Sequence, residues 1–239
     1  MRRRISCAGL LLVAAAPLIA QPEYRAARTH DAIAVDGRLD EFTWSVADQV
    51  GDFQDIRPRP GKDRAPTQAM LAWDDRNLYV AFVCADAQPW GDMFERDMHL
   101  WDQEVVELFL DPDGDGLDYP ELEVSPHNVV VDLLIPAPRK ISADEAAKWD
   151  IQGLQTAVAK SAAGWTVEIA VPWRSLAEAG VNEAPAPGDK WRVGLYRIER
   201  PNGLTKNRDD SDDQFLAWAP TEKSFHEPAR FGTVEFVLR

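Results

Sequence analysis

Helix signals in this chain are few and short, whereas short alternating or β-branched runs recur from end to end with turn residues between them. The runs fall at residues 32–35, 67–73, 78–85, 104–110, 122–125, 129–135, 154–160, 165–171, 191–199, 215–219 and 233–238. About eleven strands at this spacing predict an all-β sandwich or jelly roll. Trp165, Val167, Ile169 and Val171 alternate with Thr166, Glu168 and Ala170, which predicts one buried and one mixed face. Two short helices are predicted at residues 39–47 and 174–179, the second ended by Gly180.

The first twenty residues stand apart. Three arginines follow Met1, and an apolar run ending in small residues leads to Ala20. This is the pattern of a secretory signal peptide cleaved after Ala20, too short to span a bilayer. The expected location is therefore secreted or periplasmic, with residues 21–239 forming one domain large enough for a sizeable core. No linker or repeat divides it.

The chain carries 26 basic and 40 acidic side chains, a formal net charge of −14. The signal segment removes three arginines and no acid, so the mature chain is more acidic still. Such a surface repels nucleic acid and anionic membrane and suits neutral ligands and divalent cations. Cys7 leaves with the signal and Cys84 sits alone in an apolar run, so no intramolecular disulfide is expected and Cys84 reads as core packing.

Four segments in order carry a family pattern: Val35-Asp36-Gly37-Arg38-Leu39-Asp40-Glu41-Phe42-Thr43-Trp44, Leu71 to Phe82 with Trp73-Asp74-Asp75, Leu100 to Asp111 with Trp101-Asp102-Gln103-Glu104, and Pro228-Ala229-Arg230-Phe231-Gly232. Together they resemble the family 9 carbohydrate-binding modules across almost the whole mature chain. The resemblance implies a jelly-roll β-sandwich that binds a mono- or oligosaccharide without cutting it, normally beside a glycoside hydrolase. It also implies structural calcium.

Sugar rings present a C–H face and a hydroxyl edge, so a binder stacks an aromatic on the face and hydrogen-bonds the edge. Trp101 stands in the polar loop before a strand, where core packing explains a large ring less readily. The resemblance makes it one wall of a ring sandwich, with Phe225, before the closing motif, as the other; a phenyl there replaces the larger indole of the family. Trp44 reads instead as a cover for one end of the core.

Within residues 104–110, Glu107 lies between apolar Val105 and Phe109 on one face, a costly place for a carboxylate without a partner. A sugar hydroxyl would satisfy it, and the resemblance implies a site glutamate here. Glu123 alternates with Leu122 and Val124 and is expected to face the same cleft, where family members can carry an arginine. Arg197 either supplies positive charge to that cleft or neutralises Glu107 or Glu123.

Asp111, Asp113, Asp115 and Asp118 crowd a turn containing Gly114 and Gly116. Hard oxygen donors on a curling loop suit calcium, but an EF-hand count places Leu122 where its bidentate glutamate belongs. The segment is either a calcium site or a solvated acidic turn. Residues 208–213 form a second acidic stretch, read as an exposed loop.

Other classes remain as alternatives. A glycosidase needs two carboxylates about 5–10 Å apart, which Glu107 and Glu123 offer only on neighbouring strands. Met93, Met98, His99 and His127 would serve non-covalent haem in an electron-transfer sandwich, without any C-x-x-C-H motif. A third possibility is a sandwich that has lost its ligand and serves as an envelope partner domain.

Overall fold

The computed structural model describes residues 21–238 except 59, 62, 139, 202 and 204–211, so the signal segment and most of the second acidic stretch lie outside the described residues. Among the described residues twelve strands run in chain order: β1 Glu23–Arg28, β2 Gln54–Asp55, β3 Thr67–Trp73, β4 Asn77–Ala85, β5 Val105–Asp111, β6 Tyr119–Val124, β7 Val130–Ile135, β8 Gln155–Ser161, β9 Gly164–Pro172, β10 Lys190–Glu199, β11 Gln214–Ala217 and β12 Gly232–Val237. Two short helices, α1 Phe42–Val46 and α2 Ala143–Ala146, lie among the connections.

The strands form one curled sheet in the order β7-β6-β5-β10-β12-β1-β3-β4-β9-β8, with β11 on β10 and β2 on β11. β1 pairs in parallel with both β12 and β3 and joins two otherwise antiparallel halves. The halves close on each other as a β-sandwich, as the alternation predicts. Val106, Leu108 and Leu110 of β5 share the main core with Leu71 of β3, Val80 and Phe82 of β4, and Val167 and Ile169 of β9. Cys84 is buried there, and burial pushes its thiol up to about 12.

Residues 32–35 form no strand. Their neighbourhood spends its backbone donors on side chains: Ala34 N–H donates to Glu41 Oε1 (2.9 Å), and Asp36 and Gly37 donate to Glu168 Oε2 at 3.0 and 2.8 Å. Gly37 takes φ +83°, and a Cβ there would lie 2.6 Å from Ala159 N, so the turn admits glycine alone. Trp44 Nε1 donates to Glu168 Oε1 (2.9 Å), which makes the first motif a structural clasp over Met70, Tyr79 and Ala81 on the outer face of β3 and β4. The helix predicted over 39–47 is only the five residues of α1, its first amides capped by Asp31. The segment at 174–179 is 3₁₀ (Trp173–Ala179) and ends where Gly180 adopts φ +81°.

The other half has an outer face too. Val105 and Phe109 of β5, Tyr119 of β6, Leu133 and Ile135 of β7 and Tyr196 of β10 point away from the main core and pack under Leu100, Ala146, Phe225 and Phe231. The candidate site is built on this second face.

Candidate functional site

Strand alternation places Glu107 on the outer face, directly opposite Glu123 of β6 and Tyr196 of β10. Glu121, two residues from Glu123, shares that face and stands opposite Phe109 and Leu133. One carboxylate oxygen from each of the three glutamates lies within 4.8 Å of the others. All three are buried, Glu123 completely, and the side-chain hydrogen-bond partner of Glu123 is the neighbouring Glu121 carboxyl. Burial, then Glu121, holds Glu107 well above the usual carboxylate range. Burial, then Glu107 and Glu121, does the same to Glu123, and burial pushes Glu121 up to about 8.

Above this layer lies a cavity of about 250 Å³ lined by Trp101, Glu121, Leu133, Ile135, Ile141, Ser142, Ala143 and His226. Trp101 belongs to a 3₁₀ turn, Leu100–Asp102, whose Leu100 is fully buried as an anchor. Arg200 fixes the turn by donating to Trp101 O (2.7 Å) and Gln103 O (3.2 Å) while paired with Asp213. His99 stacks on the Trp101 ring, centroids 4.4 Å apart, and its Nε2 meets Asp144 Oδ1 at 3.1 Å. Trp101 therefore occupies a braced position at the cavity wall.

Phe225 is not the facing wall. Its ring is buried and stacked on Tyr196, so it belongs to the packing beneath. The next residue, His226, lines the cavity instead; its Nδ1 lies 3.0 Å from Tyr119 Oη and its Nε2 3.7 Å from Glu121 Oε2. Glu107 and Glu123 sit beside the cavity without lining it, and Glu121 connects the two groups.

Arg197 corrects another expectation. It pairs in register with Val106, which turns it to the opposite face from Glu107. There it is fully buried, paired with Glu199 and with Asp86 (3.6 Å), and donates to Ala85 O (3.1 Å). The Coulombic partner of Glu107 is Arg200.

In the acidic turn, carboxylate oxygens of Asp111, Asp113 and Asp115 lie within 4.8 Å of one another, and Asp118 is not among them. Asp111 is buried with Oδ2 unpartnered, whereas Asp113 and Asp115 are exposed. Positive φ at Gly114 (+74°) and Gly116 (+75°) curls the loop around these oxygens. An orphaned buried carboxylate oxygen beside two more oxygen donors fits a hard cation, with Asp118 outside the set.

The residues considered for haem have other surroundings: His99 stacks on Trp101, His127 contacts Phe94 edge-on and Lys160 (3.4 Å), and Met93 and Met98 pack against the outer-face cluster. A larger groove of about 790 Å³ lies between the ends of β3, β4, β8 and β9. Its aromatic residues, Phe53 and Trp165, are core side chains 4% and 2% exposed, so it offers no free stacking platform.

Of the residues lining the cavity, sequence reasoning names Trp101 and leaves out the polar Glu121, Ser142 and His226 as well as the apolar lining. Period-two alternation signals Glu121, since it shares the parity of Glu123. Ser142 and His226 lie on connections, where no period applies.

Comparison with known proteins bears on the whole arrangement. Exoglucanase XynX of Acetivibrio thermocellus is 23% identical over 195 residues, 78% of this chain and 16% of that protein. Endo-1,4-beta-xylanase A of Thermoanaerobacterium saccharolyticum is 23% identical over 178 residues, 71% of this chain and 14% of its own length. The chain thus spans about a sixth or less of these curated relatives. A family 9 carbohydrate-binding module from Caldicellulosiruptor kristjanssonii, solved in complex with cellotriose, superposes with TM-score 0.63 at 18% identity, covering 91% of this chain and 94% of the module. The family model described as carbohydrate family 9 binding domain-like matches residues 35–238. With this curled sandwich and the family model matched over residues 35–238, this chain belongs to the carbohydrate family 9 binding domain-like family.

Proposed function

We propose that this chain is a secreted or periplasmic, non-catalytic carbohydrate-binding protein, accessory to polysaccharide breakdown or uptake. The observation that carries the reading is the cavity in which the braced Trp101 ring meets His226, Glu121 and Ser142. It combines an aromatic surface for a sugar face with polar groups for hydroxyls. Its volume, about 250 Å³, lies just below the usual range of about 300–1,000 Å³ for small-molecule pockets and suits one sugar unit or a chain end. The relatives named as exoglucanase and xylanase, and the neighbour holding cellotriose, point to β-linked plant polysaccharides as the first ligands to try. The signal-like first twenty residues support export, and among the described residues no helix is long and apolar enough to cross a membrane.

The geometry also argues against hydrolysis. Glu107 and Glu123 are both buried and do not line the cavity, so neither faces an open cleft in which a glycosidic bond could lie. Glycosidase carboxylates stand about 5–10 Å apart across an open cleft. Calcium at Asp111, Asp113 and Asp115 would brace the hairpin from β5 to β6. A glycoside hydrolase or an envelope receptor is the partner class that an accessory role implies.

The test is calorimetric titration of the mature protein with glucose, cellobiose and xylo-oligosaccharides, repeated with Trp101→Ala. Binding that disappears in Trp101→Ala supports the site. A folded protein that takes up no glycan overturns it and favours an envelope partner domain.

A further inference from the structure

We propose that Glu107, Glu121 and Glu123 form a binding site for a hard divalent cation, separate from the acidic turn at Asp111. The geometry comes first. Calcium holds its oxygen ligands at about 2.3–2.6 Å, so two oxygens on opposite sides of one ion are about 4.6–5.2 Å apart. The three carboxylate oxygens here, one from each glutamate, all lie within 4.8 Å of one another. They fit around a single ion without movement of the strands.

Burial supplies the second observation. Glu123 is fully buried and no amide, hydroxyl or cationic side chain donates to either of its oxygens; its side-chain hydrogen-bond partner is another buried carboxyl, Glu121, whose Oε2 faces His226 Nε2 at 3.7 Å. Two buried carboxyls that meet each other can share one proton, but ionising both is costly, and a third carboxylate beside them raises that cost. The nearest donors are occupied. Tyr196 Oη donates to Phe225 O (3.3 Å), Tyr119 Oη is engaged with His226 Nδ1 (3.0 Å), and the Arg200 guanidinium is held by Asp213 and two backbone carbonyls. A cation between the three side chains offsets all three charges together and replaces the shared proton.

The donor set decides the class of ion. Three carboxylates and no thiolate select hard cations such as calcium, magnesium or manganese over soft ones. Glu121 also lines the Trp101 cavity, which gives the ion a route inward and a position next to the proposed sugar site. Cation binding is nonetheless measured without any sugar, so its outcome is independent of the carbohydrate reading.

The experiment uses the mature chain stripped with a chelator, in an Asp113→Asn/Asp115→Asn background that silences the acidic turn through two exposed positions. Calcium chloride, then manganese chloride, is titrated in by calorimetry at neutral pH. The expected result is one bound ion per chain, with affinity falling at least about 10-fold when Glu123→Gln is added. Glu123→Gln keeps the shape and removes a buried charge, and near-ultraviolet circular dichroism checks its fold. If that variant fails to fold, Glu107→Gln takes its place with the same expected loss. Absence of binding tighter than about 1 mM for both ions, or binding unchanged by the glutamine variants, overturns the proposal.

Discussion

Phe225 lies flat against Tyr196, ring centroids 4.1 Å apart and planes 11° from parallel, and Tyr196 Oη donates to the Phe225 carbonyl. This stack ties the loop before β12 to the centre of β10 and leaves His226 projecting to the cavity. The aromatic that a family comparison would place against the sugar is here part of the support for its neighbour.

Phe225 and Trp101 should therefore behave oppositely on truncation. Phe225→Ala removes a buried ring and costs about 3 kcal/mol, which lowers Tm by roughly 6–12 °C for a chain of this size. Trp101→Ala removes a partly exposed ring and costs less stability while abolishing glycan binding. Thermal unfolding and titration on the two variants separate the roles. Equal loss of affinity in a folded Phe225→Ala protein would restore Phe225 to the site itself.

Glu168 accepts from Trp44 Nε1 and from the backbone of Asp36 and Gly37, so one carboxylate fastens the first motif to β9. Gly37→Ala forces a Cβ to 2.6 Å from Ala159 N at φ +83° and should cost about 3 kcal/mol. Denaturant titration reads this as a lower midpoint with an unchanged slope. A near-neutral Gly37→Ala would mean that the β8 edge yields, and that the motif is not a rigid clasp.

Much of this fold is legible in the residue pattern, and the limits have identifiable causes. Alternation within β5 puts Glu107 on one face with Val105 and Phe109, and the structure keeps it there. Arg197 is a different matter, because its face depends on register between strands: it pairs with Val106, and a shift of one residue would have turned it toward Glu107. No single strand carries that information. Phe225 and His226 lie on a connection, where neither ring's direction follows from spacing. β1 and β2 escape notice because half of the six side chains of β1 are charged and β2 has only two residues, both held by partners distant in the chain.

The acidic turn yields a metal prediction of its own. In a Glu123→Gln background, which removes the other cation site, calcium at about 100 times its dissociation constant should stabilise the protein by about 2.7 kcal/mol. A chelator should reverse this gain, and Asp111→Asn should prevent it. Asp118→Asn should leave it intact, because Asp118 stands outside the oxygen cluster. A calcium response lost in Asp118→Asn but kept in Asp111→Asn would show that the ion is held elsewhere in the loop.

Glu104 and Glu199 set the pH dependence on the Arg197 side of the sheet. Burial, then Glu199, pushes Glu104 up to about 9, and burial pushes Glu199 up to about 7 against the pull of Arg197. Glu104 Oε2 accepts from Trp90 N (3.0 Å), and the buried carboxyl also meets the Asp86 carboxyl side chain to side chain. Both groups have folded-state values above the unfolded value of about 4.3, so the folded protein binds more protons than the unfolded chain between those limits. Their contribution to stability is complete below about pH 4 and is lost as pH rises through about 7 and then about 9. Glu104→Gln fixes the neutral form in nearly the same shape. Its unfolding midpoint should match the wild type near pH 4 and fall less steeply between about pH 4 and about pH 9. By pH 9 the variant should be more stable by about 1–2 kcal/mol, or roughly 2–8 °C in Tm. Midpoints at pH 5, 7 and 9 decide it, since two curves that fall in parallel would show that Glu104 does not carry the transition.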